Sequence, residues 1–208
     1  MFVKICGITR AEDAAAAVSC GAQAVGFVFW PGSPRFIDTH RARAIVSSLP
    51  PFVTPVGVFV DQPLEHVREV AALVGLGVVQ LHGDESPAFA KGIGRPIMKA
   101  IAMGEGFDPR QLIDWPEPVL PLLDVHDPRL RGGTGRTVDW TRAAEIAAGR
   151  RVILAGGLKP DNVACAISSV RPYGIDVSSG VEREPGIKDA ELMRRLFESV
   201  QVAVEDDS

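Results

Sequence analysis

FVKICGITRAEDAAAAVSCGAQAVGFVF, residues 2–29, holds two short, mostly apolar runs at 2–6 and 24–29 around a helical stretch at 11–20. Apart from Lys4 the runs are continuously apolar rather than alternating, as expected of parallel strands covered on both faces. Parallel neighbours need a crossover, and the helix between these runs supplies a right-handed one. Thr9 offers that helix a hydroxyl cap, and Glu12 and Asp13 put negative charge at its positive end. The turn after the first run reads CGITR, without the GxGxxG that would announce an open dinucleotide-binding sheet.

The same unit repeats outward from this stretch. Further strands are predicted at 55–60, 78–81, 97–102, 119–124, 151–155 and 174–177. Helices are predicted at 39–48, 64–73, 87–92, 140–148, 161–169 and 190–204, with Pro160 and Asp161 opening a first turn. Segment 103–118, MGEGFDPRQLIDWPEP, carries three prolines and reads as a loop with at most a short helix. Eight strands in alternation with helices favour an α/β, single-domain (β/α)8 TIM barrel over an open doubly wound sheet. One domain over 1–208 is expected, with 205–208, EDDS, as a frayed acidic tail.

A hydrophobic share of 46% suits a packed core and is too rich for a disordered chain. Lys and Arg number 22 against 26 Asp and Glu, so no basic surplus points to nucleic acid, although a local basic pocket for a small anion stays open. No apolar run reaches the roughly 18–20 residues that cross a membrane, and the N-terminus lacks a signal-peptide design. Cys6, Cys20 and Cys165 are too few and scattered for a disulfide framework, which points to a reducing cytoplasm. The four histidines lie far apart in no ligand pattern, so no metal is expected.

In such a barrel the C-terminal strand ends carry the active site, and here they are rich in glycine and ionisable groups. LAGGL places Gly156 and Gly157 after the seventh strand, and DVSSGVE places Ser178, Ser179 and Gly180 after the eighth. Glycines alone can serve only a tight turn, but two such clusters at adjacent strand ends favour a phosphate cradle. GGTGRTVDW, residues 132–140, reads either as a closing loop or as a plain connection. Cys6 and Asp124 end the first and sixth strands and face one mouth from opposite sides, a thiolate to take a proton and a carboxyl to give one. A small buried hydrophobe is the alternative for Cys6, and it is the reading for Cys20 and Cys165. Lys4 points the same way one layer deeper, either lowering the thiol pKa or pairing with a carboxylate inside the barrel. Arg35 in GSPRF is a clamp for carboxylate or phosphate, or a surface residue. His82 either bonds a ligand or supports its turn, and Asp176 either orients a ribose hydroxyl or caps the turn at Ser178.

KICGITR, GFVF with SPR, VGVFV, VQLHGDE, LLD with GGTG, LAGGL, and DVSSGVE with PGIKD occur in the order found in the phosphoribosylanthranilate isomerase family, which the chain resembles from residue 3 to about 198. The resemblance implies a single-domain barrel without a cofactor that performs an Amadori rearrangement in tryptophan biosynthesis. It makes Cys6 the general base and Asp124 a general acid that must hold its proton near neutral pH. It gives Arg35 to the anthranilate carboxylate, the backbone around Gly156, Gly157, Ser178, Ser179 and Gly180 to the phosphate, and Asp176 to the ribose. The implied partner is a small phosphosugar carrying an anthranilate carboxylate, not nucleic acid or membrane, and the protein is expected as a monomer or homodimer. A related aminoaldose isomerase of histidine biosynthesis typically has an Asp base on the first strand, so Cys6 argues against it. A non-catalytic phosphosugar-binding barrel would not need both Cys6 and Asp124.

Overall fold

The computed structural model describes residues 1–104, 107–115, 117–124 and 140–206. Eight parallel strands close in chain order: β1 Phe2–Ile5, β2 Ala24–Val28, β3 Thr54–Phe59, β4 Val78–Leu81, β5 Ile97–Ala102, β6 Leu120–Asp124, β7 Ile153–Ala155 and β8 Gly174–Val177. β8 pairs back onto β1, with Lys4 opposite Asp176. Around them lie α1 Ala11–Cys20, α2 Thr39–Val46, α3 Leu64–Val74, α4 Pro87–Ile93, α5 Trp140–Gly149, α6 Val163–Val170 and α7 Ala190–Asp206. The closed sheet is the expected (β/α)8 barrel, and no helix among the described residues is long and apolar enough to cross a membrane.

The main core lies between strands and helices. α3 shows why: its buried residues Val67, Val70, Ala71 and Val74 recur at helical spacing, so one stripe faces the sheet. Inside the barrel the layers differ in chemistry. Met98, Leu122, Ile153 and Ala155 form one apolar cluster, and Cys6, Val28 and Val58 form a second at the mouth. Lys4 on β1, Gln80 on β4 and Asp176 on β8 are buried polar residues. A charged layer in a barrel needs internal partners, because burial removes water from each group.

Several local expectations are corrected. Thr9 does not cap α1: its N-cap is Arg10 without a side-chain cap bond, and the Thr9 hydroxyl donates to the Gly186 carbonyl instead. α6 begins at Val163 rather than 161, because the Lys159 N–H donates to Asn162 Oδ1 at 2.8 Å and holds the chain in a turn there. Segment 103–118, by contrast, is as expected: among its described residues it contains only a short 3-10 turn, Pro109–Leu112. α7 continues to Asp206, two residues into the expected tail. Residues 182–188 form an unexpected antiparallel hairpin, β9 Glu182–Glu184 with β10 Ile187–Lys188. Pro185 followed by Gly186 at φ 82° has the residue order of a type II turn. The GGTG segment lies outside the described residues.

Candidate active site

A cavity of about 600 Å³ opens at the C-terminal mouth, and Cys6, Arg35, His82, Asp124, Gly156, Gly157, Asp176, Ser178 and Ser179 all line it. Nine of the ten residues singled out from the sequence therefore share one compartment. Gly180 does not line it. A Cβ there would stand 1.8 Å from the Leu158 carbonyl oxygen, so Gly180 serves by letting the loop after β8 pack directly on the loop after β7.

Cys6 follows β1, its N–H donating to the Val177 carbonyl at 2.8 Å. Its sulfur occupies space left by a glycine on β2: a Cβ on Gly26 would lie 2.7 Å from Cys6 Sγ and 3.1 Å from Lys4 Cε. Burial pushes the Cys6 thiol up, and the Lys4 ammonium pulls it down without reversing the shift. Lys4 takes the ion-pair alternative, with Nζ 2.8 Å from Asp176 Oδ2 across the β1–β8 seam. Desolvation works against the Lys4 charge, yet Asp176 and Cys6 together hold its pKa above the ordinary value. The other Asp176 oxygen, Oδ1, is buried without a hydrogen-bond partner among the described residues. Asp176 therefore does not cap the Ser178 turn; it presents an unmet acceptor beside a cavity that it lines.

On the opposite wall, Gln80 Nε2 and His82 Nδ1 are 3.0 Å apart, and His82 Nε2 stands 3.5 Å from Asp124 Oδ2. An amide nitrogen only donates, so in this arrangement Nδ1 accepts and Nε2 carries the hydrogen toward Asp124. Behind His82 the turn is braced from β5. Lys99 is buried, pairs with Glu85 at 3.1 Å and donates to the Gly83 carbonyl. His82 therefore lines the cavity from a turn that Lys99 and Glu85 hold.

Arg35 is not a free surface residue. Its Nε and Nη2 form a fork onto Glu182 at 2.9 and 2.7 Å, and Lys188 Nζ reaches the same carboxylate at 2.7 Å. Burial alone would push Glu182 up, but the hydrogen bonds from Arg35 and Lys188 hold its carboxyl below the usual range. Glu182, Lys188 and Gln80 escaped the sequence reading as site residues. Arg35 and Glu182 are 147 positions apart, so no local signal links them. The lysine of PGIKD and the glutamine of VQLHGDE sat within recognised motifs with no role attached.

The two anion-type loops are built from backbone. Gly156 and Gly157 take φ of 90° and 66°, values that β-carbons resist. Asn162 Nδ2 donates to the Gly157 carbonyl at 3.0 Å and holds that turn. Ser178 Oγ donates to the Cys6 carbonyl at 3.1 Å, tying the second loop to the thiol-bearing residue.

The fold and this mouth define a (β/α)8-barrel protein with a polar cavity at its mouth, lined by a thiol, a carboxyl, an arginine and two glycine-rich loops. The profile of the N-(5'phosphoribosyl)anthranilate (PRA) isomerase family matches residues 3–199. The chain is 48% identical to the N-(5'-phosphoribosyl)anthranilate isomerase of Hahella chejuensis, over 95% of this chain and 92% of that one. It is 49% identical to the isomerase of Citrifermentans bemidjiense, over 94% of each. Among solved structures, phosphoribosyl anthranilate isomerase from Thermotoga maritima aligns with a TM-score of 0.90 at 42% identity, covering 97% of this chain and 99% of that one. An isomerase in complex with reduced 1-(o-carboxyphenylamino)-1-deoxyribulose 5-phosphate aligns with a TM-score of 0.87 at 40% identity, with the same coverage. The chain belongs to the N-(5'-phosphoribosyl)anthranilate isomerase family.

Proposed function

We propose that this protein converts N-(5-phosphoribosyl)anthranilate into 1-(2-carboxyphenylamino)-1-deoxyribulose 5-phosphate, the Amadori step of tryptophan biosynthesis, in the cytoplasm as a monomer or homodimer. One observation carries the reading: Cys6 and Asp124 line one cavity, with Arg35 and the backbone of Gly156, Gly157, Ser178 and Ser179 on the same walls. The substrate bears a carboxylate and a phosphate at its two ends, and the cavity offers a separate anchor for each. Two anchors fix the reacting carbons between acid and base, which turns encounter into an oriented intramolecular step.

Asp124 gives its proton to the furanose ring oxygen as the ring opens to a Schiff base. The thiolate of Cys6 then removes the proton from C2, and the electron pair moves toward the iminium nitrogen to form an enolamine. Return of the proton from Cys6 to C1, with loss of the C2 hydroxyl proton, yields the ketone, and the proton lost replaces the one Asp124 gave to the ring oxygen. His82, with Nε2 toward Asp124, stabilises the carboxylate left after the first transfer. The unmet oxygen of Asp176 accepts from a ribose hydroxyl. Arg35 turns its remaining donors to the anthranilate carboxylate. No step calls for a cofactor.

Cys6→Ser and Asp124→Asn are each expected to reduce kcat at least a thousandfold, about 4 kcal/mol at 1.36 kcal/mol per tenfold, with an unchanged circular-dichroism spectrum. Arg35→Met is expected to raise KM far more than it lowers kcat. The decay of anthranilate-type fluorescence follows the reaction directly. Wild-type turnover in either of the first two variants removes the assigned role.

A further inference from the structure

The lysine of the PGIKD motif has no part in the proton transfers, yet its side chain is fully buried. It sits on β10 directly opposite Glu182 on β9, as a cross-strand neighbour. Its Nζ makes two contacts: 2.7 Å to Glu182 Oε1 and 3.2 Å to the carbonyl of Ser178. The first contact holds the carboxylate onto which Arg35 is forked. The second holds one peptide of the loop after β8. That peptide is planar and trans, so fixing its carbonyl on Lys188 turns the N–H of Ser179 the opposite way. The backbone of Lys188 is itself pinned, its N–H donating to Asp13 Oδ2 at 3.1 Å, and Arg10 holds Asp13 from the other side.

We infer that Lys188 is a positioning residue that couples the two anchors of the site, setting Arg35 for a carboxylate through Glu182 and setting the Ser178–Ser179 peptide for a phosphate. The inference rests on the isomerase reading of those anchors. It extends that reading, because it makes affinity at the two ends of the substrate depend on one buried ammonium that does not line the cavity. Burial opposes the Lys188 charge and Glu182 sustains it, and a lone lysine there would be costly. An apolar replacement would leave both Glu182 and the Ser178 carbonyl short of a donor.

The two ends are separable with half-ligands. Anthranilate and inorganic phosphate are titrated calorimetrically into the wild type, Lys188→Met, Lys188→Arg, Glu182→Gln and Arg35→Met, each checked for folding by near-ultraviolet circular dichroism. Lys188→Met is expected to weaken both half-ligands at least fivefold. Lys188→Arg, which keeps a charged donor, recovers at least half of that loss for phosphate. Glu182→Gln keeps the ammonium and is expected to weaken anthranilate at least threefold while leaving phosphate within twofold. Unchanged affinity for either half-ligand in folded Lys188→Met overturns the coupling. If that variant fails to fold, Glu182→Gln decides: equal weakening of both half-ligands, or of neither, overturns the proposal. Arg35→Met separates the two readings. Full anthranilate affinity there overturns the carboxylate clamp itself, and the phosphate arm then decides the role of Lys188.

Discussion

A thiol that acts as a base has to lose its proton, and the surroundings of Cys6 resist that loss. Val28 and Val58 pack beside it in an apolar cluster, and burial raises its pKa more strongly than Lys4 lowers it. A raised pKa also makes the thiolate, once formed, a stronger proton acceptor, as Brønsted behaviour requires. The linked sign for stability follows. The native state keeps a proton that the unfolded chain gives up, so this contribution is intact below about 8.5 and is lost as pH rises through the folded value. Stability is therefore expected to fall on the alkaline side, as pH passes through the range in which the native thiol loses its proton. In a Cys20→Ser/Cys165→Ser background, iodoacetamide should alkylate native Cys6 more slowly than the urea-unfolded chain at pH about 8, with the gap closing as pH rises further. Alkylation of the native thiol at or above the unfolded rate would show that the lysines, not burial, dominate its titration. Gly26 belongs to the same account. The sulfur occupies the place of its missing side chain, so the residue facing the thiol shapes its surroundings as much as the lysine beneath it.

Among the elements, helix starts separate what local chemistry dictates from what the assembled barrel imposes. Asp38 caps α2 in the ordinary way, its carboxylate accepting from the N–H groups of His40 and Arg41 at 3.1 and 3.0 Å. Asp38→Ala is expected to cost about 0.5–2 kcal/mol without changing kcat. Thr9 has the same local credentials before α1, yet its hydroxyl bonds the turn of the hairpin formed by residues 182–188. Thr9→Val is accordingly expected to speed hydrogen exchange at the Lys188 amide and to leave the amides of α1 unchanged; faster exchange along α1 would restore the capping role. Legibility divides along the same line. The strands announced themselves because parallel strands buried on both faces are largely apolar, and strand ends marked the candidate site because glycines and ionisable residues gather there. The hairpin was invisible: GVEREPGIKD is charged and short, and its pairing is supported by partners far away in sequence, Thr9 and Asp13. The fork from Arg35 to Glu182 was hidden for the same reason. Lys4 was half legible, since alternation gave its direction and left its partner open.

At the scale of the whole molecule, closure is the step that local units cannot provide. Each βα unit joins neighbours in sequence, whereas β1 meets β8 across 172 positions, as the Lys4–Asp176 bond records. Ordering so long a loop carries an entropic cost that must be offset where the ends meet. The seam is correspondingly dense in specific bonds: Lys4 to Asp176, Ser178 to the Cys6 carbonyl, Thr9 to Gly186, and Lys188 N–H to Asp13. All four join the first 13 residues to residues 176–188, so the links that close the barrel also assemble one wall of the site. Removing one member of a buried ion pair strands the other charge, which costs about 3–5 kcal/mol. Lys4→Met is expected to lose stability on that scale in urea denaturation. Lys4→Met/Asp176→Leu, which removes both charges, is expected to regain most of it while staying inactive, because the carboxylate facing the cavity is gone. A single variant that loses no more than about 0.5 kcal/mol, the scale of a surface change, would mean that strand pairing alone closes the barrel. In that case the buried pair would be present for the chemistry and not for the fold.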